Sequence, residues 1–203
     1  MNLQVHPDQL QSIARHLARA QRREIGGVLV GEHVSEDLFR VVDLSFQRSG
    51  GAVACFVRRP EEHESFFAEF FQRTGKNFER FNYLGEWHSH PSFPVHPSAV
   101  DHDQMQAIVE DGANAPLFAV LIVVRLAGST EVELSATAYR SGCAASPVAV
   151  HVSPRPPDDP TPVRAPWWRR ILEPESKEVR LSVVRVGCDA DRSERYRTSW
   201  RRS

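Results

Sequence analysis

The sequence predicts an α/β protein of the α+β type, built on a mixed, mostly antiparallel sheet flanked by helices. Helix-like and strand-like segments interleave along the first 140 residues. Several neighbouring strands are joined by connections too short for a parallel crossover, which needs about a dozen residues. The composition, with 41% hydrophobic and 25% charged residues, is that of an ordinary soluble globular domain and argues against global disorder.

Apolar residues at steps of three and four, together with proline and cap signals, predict three helices. These are residues 7–22, a segment that begins at Pro60, and residues 98–110. Pro7 is a favourable first helical residue. In the second helix, four phenylalanines between Phe66 and Phe71 form one apolar face. The third helix begins with Ser98-Ala-Val-Asp101, which resembles a capping box.

Six short apolar or alternating segments are predicted to be strands. They are residues 25–31, 39–44, 52–57, 81–87, 117–125 and 131–139. The first, Ile-Gly-Gly-Val-Leu-Val-Gly, contains glycines that are typical of a buried strand approached closely by other backbone or by a ligand. The last two are joined by a predicted turn at residues 127–129.

Proline and charge divide the chain into three parts. Seven of the 14 prolines lie between residues 147 and 166, and the net charge is −6 before residue 164 and +5 from there on. We therefore expect a main domain at 1–140, a proline-rich linker or strap at 141–166, and a basic C-terminal extension at 167–203. Within the extension, residues 178–186 alternate well enough to form one added strand, in cis or in a partner.

Charge, cysteine content and hydropathy exclude several classes of protein. The net charge of −1 gives no case for a nucleic-acid binder, and no basic and aromatic pattern in the main domain supports one. Cys55, Cys143 and Cys188 are too few and too far apart for a disulfide framework or a cysteine zinc knuckle. The amino terminus has no apolar signal core, and residues 112–124 are too short to span a bilayer. We expect a cytoplasmic protein without a membrane partner.

A histidine-rich segment follows the strand at 81–87. His88 and His90 are two residues apart at the predicted strand end, so both side chains leave on one face and can converge on a metal. A catalytic zinc needs three protein ligands and an open position, and Asp101 can supply the third. A helix cap at Ser98 and Asp101 within a polar surface loop would also account for these residues, and the two roles are compatible.

Glu24 begins a second motif, Glu24-Ile-Gly-Gly27-Val-Leu29-Val-Gly31. A glutamate at the end of a helix is usually a solvated boundary residue. Metal-assisted hydrolysis, however, needs a carboxylate that binds no metal and takes a proton from the attacking water. A glutamate at the start of a glycine-containing strand is suited to that role.

The two motifs together resemble the signature of the JAMM (JAB/MPN) zinc metalloproteases. The first part of that signature is Glu-x-x-Gly-x-Leu-x-Gly, and the second is His-x-His-Pro followed, after six residues, by Ser-x-x-Asp. The matching residues are Glu24, Gly27, Leu29 and Gly31, followed by His88, His90, Pro91, Ser98 and Asp101. The resemblance covers about residues 5–140 and implies a JAB/MPN fold of the cytidine-deaminase-like kind. The two parts together are far more specific than either part alone.

The resemblance implies an isopeptidase or peptidase that cleaves after the carboxyl terminus of a ubiquitin-like protein. By that similarity His88, His90 and Asp101 bind one Zn²⁺, Glu24 is the acid/base that assists attack by zinc-bound water, and Ser98 stabilises the oxyanion. His96, His102 and Asp103 fall off the family spacing, so we expect none of them to be a ligand. Trp87 is expected to be a core residue.

The segment from Tyr83 to Pro91 resembles compact prokaryotic JAB deconjugases, found beside activating- and conjugating-type enzymes in modification or antiphage operons. This resemblance implies two kinds of partner. One is a ubiquitin-like protein with its conjugates, and the other is the activating- and conjugating-type enzymes. A peptidase that trims a sulfur-carrier protein is the main alternative, because its chemistry would be identical. A non-catalytic MPN scaffold, or a nucleic-acid-associated relative of the RadC type, agrees less well with the complete ligand set and the near-neutral charge.

Overall fold

The computed structural model describes residues 1–47, 51–52, 55–56, 59–128, 131–158 and 160. The predicted extension at 167–203, with its strand at 178–186, lies outside these residues, and the three-part division of the chain stays a prediction. No helix within the described ranges is long and apolar enough to cross a bilayer.

Among the described residues, eight strands form one mixed sheet. They are β1 (Asn2–Val5), β2 (Gly26–Ser35), β3 (Leu38–Leu44), β6 (Phe81–Ser89), β7 (Ala119–Ala127), β8 (Glu131–Tyr139), β9 (Ser146–Pro147) and β10 (Ala149–Val152), while β4 (Gly51–Ala52) and β5 (Cys55–Phe56) pair separately. The order across the sheet is β10-β1-β3-β2-β6-β7-β8-β9. Three neighbouring pairs (β10 with β1, β1 with β3, and β6 with β7) are parallel, and the other four are antiparallel. The predicted fold class is confirmed.

Helices cover both faces of this sheet. They are α1 (Pro7–Ala20), α2 (Glu64–Arg73), which follows a 3-10 turn at Pro60–His63, and α3 (Ala99–Glu110). Side chains of α1 share a core cluster with Val120, Ile122 and Val124 of β7, whereas side chains of α3 share another with Leu121 and Val123. Because successive residues of a strand point to opposite faces, α1 and α3 lie on opposite sides of the sheet.

The structure differs from the predicted secondary structure mainly in its shortest strands, which have two to four residues. The single strand predicted at 52–57 is wrong, because Gly51 pairs with Phe56 and Ala52 with Cys55 as two antiparallel strands. No glycine, asparagine, aspartate or proline stands between Ala52 and Cys55 to signal a turn. β1, β9 and β10 are further strands that the sequence pattern did not predict. β10 lies within the segment assigned to the linker and pairs with β1.

The glycine motif of β2 is required by a close approach of two backbones. A Cβ atom at Gly27 would lie 2.0 Å from the carbonyl oxygen of Ser45. That oxygen accepts a hydrogen bond of 3.0 Å from the indole N–H of Trp87, and the Ser45 hydroxyl accepts one of 2.9 Å from the Val28 N–H. Trp87 is fully buried, as expected of a core residue. Gly27 thus lets the segment after β3 dock against β2 and β6.

We predict that Gly27→Ala lowers the free energy of unfolding by about 3 kcal/mol, because the obstructing atom is backbone and cannot rotate away. Gly142→Ala is the control, since that glycine has a φ of +68° and nothing within 4 Å of its missing Cβ. The control should cost about 1 kcal/mol through backbone strain alone. Chemical denaturation measures the free energy of unfolding of both variants. Equal losses would show that the close approach to the Ser45 carbonyl does not determine the cost of the substitution at Gly27.

Candidate metal centre

Two histidine side chains meet at the carboxyl end of β6. His88 is the penultimate residue of the strand and His90 follows its last residue, so strand geometry directs both side chains to one face. Both residues are buried, and their Nε2 atoms lie 3.1 Å apart. Only one proton can lie between two nitrogens that face each other in this way, whereas a metal ion could accept a lone pair from each.

Asp101 approaches this pair from the first turn of α3. Its Oδ1 lies 3.4 Å from His88 Nε2, and its Oδ2 lies 3.6 Å from His90 Nε2. The same residue closes a capping box: the Ser98 N–H donates to Asp101 Oδ2 at 2.6 Å, and the Asp101 N–H donates to Ser98 Oγ at 3.2 Å. The helix cap is therefore confirmed, and it holds the carboxylate beside both histidines, where a third ligand would be needed; the ligand role of Asp101 stays a prediction.

The three side chains fit a zinc ion in number, chemistry and orientation. One potential ligand atom from each of His88, His90 and Asp101 lies within 4.8 Å of the others, the kind of set that a catalytic zinc uses. His90 Nδ1 lies 2.9 Å from the carbonyl oxygen of Pro94, to which it can donate its proton. That bond would leave the Nε2 lone pair directed at the centre, as in metal-ligating histidines generally.

Hydrogen bonds and charges within the cluster shift the pKa values of Asp101 and His90. Burial alone would raise the pKa of Asp101, but hydrogen bonds from His88 and His90, the charge of His88 and the Ser98 N–H together hold it far below its usual range. Burial alone would lower the pKa of His90, yet the Asp101 carboxylate, the Pro94 carbonyl and the charge of Glu24 raise it above 6.5. The site thus favours positive charge beside an ionised carboxylate.

Glu24 is brought to this centre by the pairing of β2 with β6. Gly26 lies opposite His88 in the antiparallel register. One residue earlier, the Ile25 N–H donates to Ser89 Oγ at 3.0 Å, and the Ser89 N–H donates to the Ile25 carbonyl at 2.8 Å. Glu24 is 6% exposed, and its charge acts on His90. It is therefore a buried carboxylate beside the ligand cluster and outside it, not a solvated boundary residue.

The other histidines and acids of the segment lie elsewhere. His96, His102 and Asp103 are exposed, and none of them belongs to the group of three that could hold a metal. His102 Nδ1 instead lies 2.9 Å from the hydroxyl of Tyr139 on β8. Burial and the charge of Asp101 raise the pKa of that hydroxyl.

Sequence reasoning missed one contributor, Ser89, which stands between the two histidines. Its hydroxyl faces away from them and anchors Ile25. The available signal was a small polar residue at the end of the strand, on the same face as Trp87. The structure thus gathers Glu24, His88, His90 and Asp101, with Ser98 at the cap, while their roles in binding and catalysis stay predictions.

Comparison with known proteins gives three findings. A family model described as prokaryotic homologues of the JAB domain matches residues 6–139. A Vibrio cholerae protein named CD-NTase/cGAS isopeptidase is 41% identical over 91 residues, which are 43% of this chain and 56% of that protein. The match thus spans little more than half the length of this relative. The solution structure of a Desulfitobacterium hafniense protein superposes with a TM-score of 0.56 at 17% identity, covering 78% of this chain and 97% of the other, a likeness of fold alone.

We predict about one equivalent of zinc per chain in protein purified without added metal, because the cluster offers a single three-ligand site. Replacing His88 and His90 together by Ala should abolish that content, whereas His96→Ala should leave it unchanged. Elemental analysis of the three proteins makes the comparison. Zinc retained by the double variant, or lost from His96→Ala, would place the metal elsewhere.

In the metal-free protein we predict that Asp101→Asn is more destabilising near pH 5.5 than near pH 8.5. The lowered pKa of Asp101 contributes stability above its unfolded value of about 3.9, and the raised pKa of His90 contributes stability below about 6.5, which is lost as pH rises through the folded value. Both contributions are therefore present between those values. Urea unfolding in the presence of a chelator measures the free energy of unfolding of the unchanged chain and of Asp101→Asn at both pH values. If the difference between the two proteins is independent of pH, Asp101 stabilises the metal-free protein only as a helix cap.

Proposed function

We propose that this chain, which belongs to the family of prokaryotic homologues of the JAB domain, is a zinc-dependent isopeptidase that acts on conjugates of a ubiquitin-like protein. The observation that carries the proposal is the convergence of two imidazoles and one carboxylate on a single point, with the buried Glu24 carboxylate beside them. A metal-ligand set with a separate acid/base is what metal-assisted amide hydrolysis requires.

Zinc bound there would polarise the scissile carbonyl and lower the pKa of a water towards about 7. Glu24 takes the proton from the attacking water and returns it to the departing lysine amine. The Ser98 hydroxyl accepts from the Asp101 N–H, which leaves its own proton available to an oxyanion. The burial of Glu24 and both histidines excludes bulk water, so that these electrostatic interactions are stronger than in solution.

The substrate class rests on the Vibrio cholerae relative, whose name describes an isopeptidase of CD-NTase or cGAS. By that likeness, a CD-NTase joined through an isopeptide bond to a ubiquitin-like protein is the first conjugate to test. That name implies a conjugation system, in which activating- and conjugating-type enzymes would be the partners. A role in antiphage defence and a cytoplasmic location are proposed from the resemblance of the sequence motifs alone. Trimming of a linear precursor such as a sulfur carrier would use the same residues.

Two matched substrates distinguish these activities. One carries a reporter on the ε-amine of a lysine joined to the carboxyl terminus of the ubiquitin-like protein, and the other carries it as a linear fusion. We expect preferential cleavage of the isopeptide, abolished by a chelator and restored by zinc. Preferential cleavage of the fusion would favour the precursor peptidase. Cleavage of neither by zinc-loaded protein would favour a scaffold.

We predict that Glu24→Gln lowers the rate of cleavage by about 10² to 10⁴, the usual contribution of a positioned acid/base. The amide is nearly isosteric and cannot accept the proton, so zinc content and fold should be unchanged and the conjugate should still bind. Glu36→Gln, at an exposed turn, is the control and should cleave normally. A zinc-loaded Glu24→Gln protein with the unchanged rate would refute this mechanism and leave the metal site intact.

A further inference from the structure

The loop between the ligand His90 and the cap residue Ser98 is rich in proline. Pro91, Pro94 and Pro97 recur at every third position and have no backbone N–H to donate, which removes the bonds that normally close turns. Of the residues between the ligand and the cap, only Val95 is buried. The position of this loop therefore depends strongly on what its carbonyl groups contact.

Three consecutive carbonyl oxygens of the loop contact polar side chains of the sheet or its edge. The Phe93 carbonyl accepts from Arg125 Nη1 at 3.3 Å, and the Pro94 carbonyl lies 2.9 Å from His90 Nδ1. The Val95 carbonyl accepts from the hydroxyl of Ser135. The middle contact orients a metal-ligating ring, and the contacts on either side hold the peptide units that flank it.

The two outer donors belong to one face of β7 and β8. Arg125 lies directly opposite Glu133 in the antiparallel register, and its guanidinium donates to that carboxylate through Nε at 2.9 Å and through Nη2. Ser135 is two residues beyond Glu133 and therefore shares its face. A paired guanidinium is fixed in direction, so Glu133 aims Arg125 at the loop.

We propose that Arg125, Glu133 and Ser135 are positioning residues of the metal centre, an inference that rests on the metal site of the proposed function. They hold the loop so that the Pro94 carbonyl fixes the tautomer and orientation of His90, and so that α3 begins where Asp101 reaches both histidines. None of the three belongs to the group of side chains that could hold the metal. Losing such a supporting contact typically lowers metal affinity by about 10- to 100-fold.

The test compares zinc affinity, by competition with a chelator, among variants of the full chain. Ser135→Ala should weaken binding by about 10- to 100-fold, and Ser135→Thr, which keeps the hydroxyl, should restore most of the affinity. The double variant Arg125→Met, Glu133→Gln should weaken binding similarly. The control is Arg73→Met, Asp43→Asn, which removes another partly buried ion pair, of 2.6 Å, that lies between α2 and β3.

A second readout needs no metal. In metal-free protein at a pH above the raised pKa of His90, where the ring is neutral, ¹⁵N resonances of the imidazoles report which nitrogen carries the proton, and thermal unfolding reports overall stability. The unchanged chain and the control should hold the Nδ1 proton, whereas Ser135→Ala and the Arg125 variant should populate both tautomers. Should Ser135→Ala fail to fold, the Arg125 variant decides alone.

If Ser135→Ala and the Arg125 variant both keep the zinc affinity and the His90 tautomer of the unchanged chain, the inference is wrong, although the metal centre itself is not contradicted. An equal loss of affinity in the control would overturn it too, because general destabilisation would then be the cause. If the unchanged chain binds no zinc, or if binding survives removal of His88 and His90, the proposed function itself fails, and this inference fails with it.

Discussion

The antiparallel pairing of β2 with β6 is the constraint on which the rest of the molecule depends. Its register sets Gly26 against His88, and the two hydrogen bonds between Ile25 and Ser89 close the end of the pair. Residues more than 60 positions apart in the chain thereby place Glu24 beside the histidines. A shift of one residue would turn the side chains of β6 to the opposite faces, and Glu24 and the two histidines would no longer share a site.

Alternation along β6 places structural contacts on one face of the strand and the candidate metal ligands on the other. Trp87 and Ser89 share one face, where the indole donates to the carbonyl of Ser45 and the hydroxyl holds Ile25. His88 and His90 share the other, where they meet Asp101. The short spacing of His-x-His is thus a consequence of strand geometry, and the intervening residue keeps the strand in register.

Sequence reasoning predicted most of what is encoded locally. The cap at Ser98, the strand end at His88 and the amphipathic α1 each follow from residues close in the chain. The hairpin of β4 and β5 carries no turn signal, and β1 and β10 are four residues each, too short to show a period. Side-chain contacts across the fold, such as Ser135 with the Val95 carbonyl, depend on tertiary packing that no spacing rule reveals.

The central claim is that His88, His90 and Asp101 bind zinc through nitrogen and oxygen atoms. By this account no cysteine sulfur, of Cys55, Cys143 or Cys188, coordinates the metal. Zinc K-edge X-ray absorption of the purified chain tests this most directly, because Zn–N and Zn–O distances of about 2.0–2.2 Å differ clearly from Zn–S at about 2.3 Å. The account predicts a four-coordinate shell of nitrogen and oxygen with scattering from two imidazoles, reduced to one in His88→Ala. A sulfur atom in the shell, or an imidazole signal unchanged by His88→Ala, would contradict it.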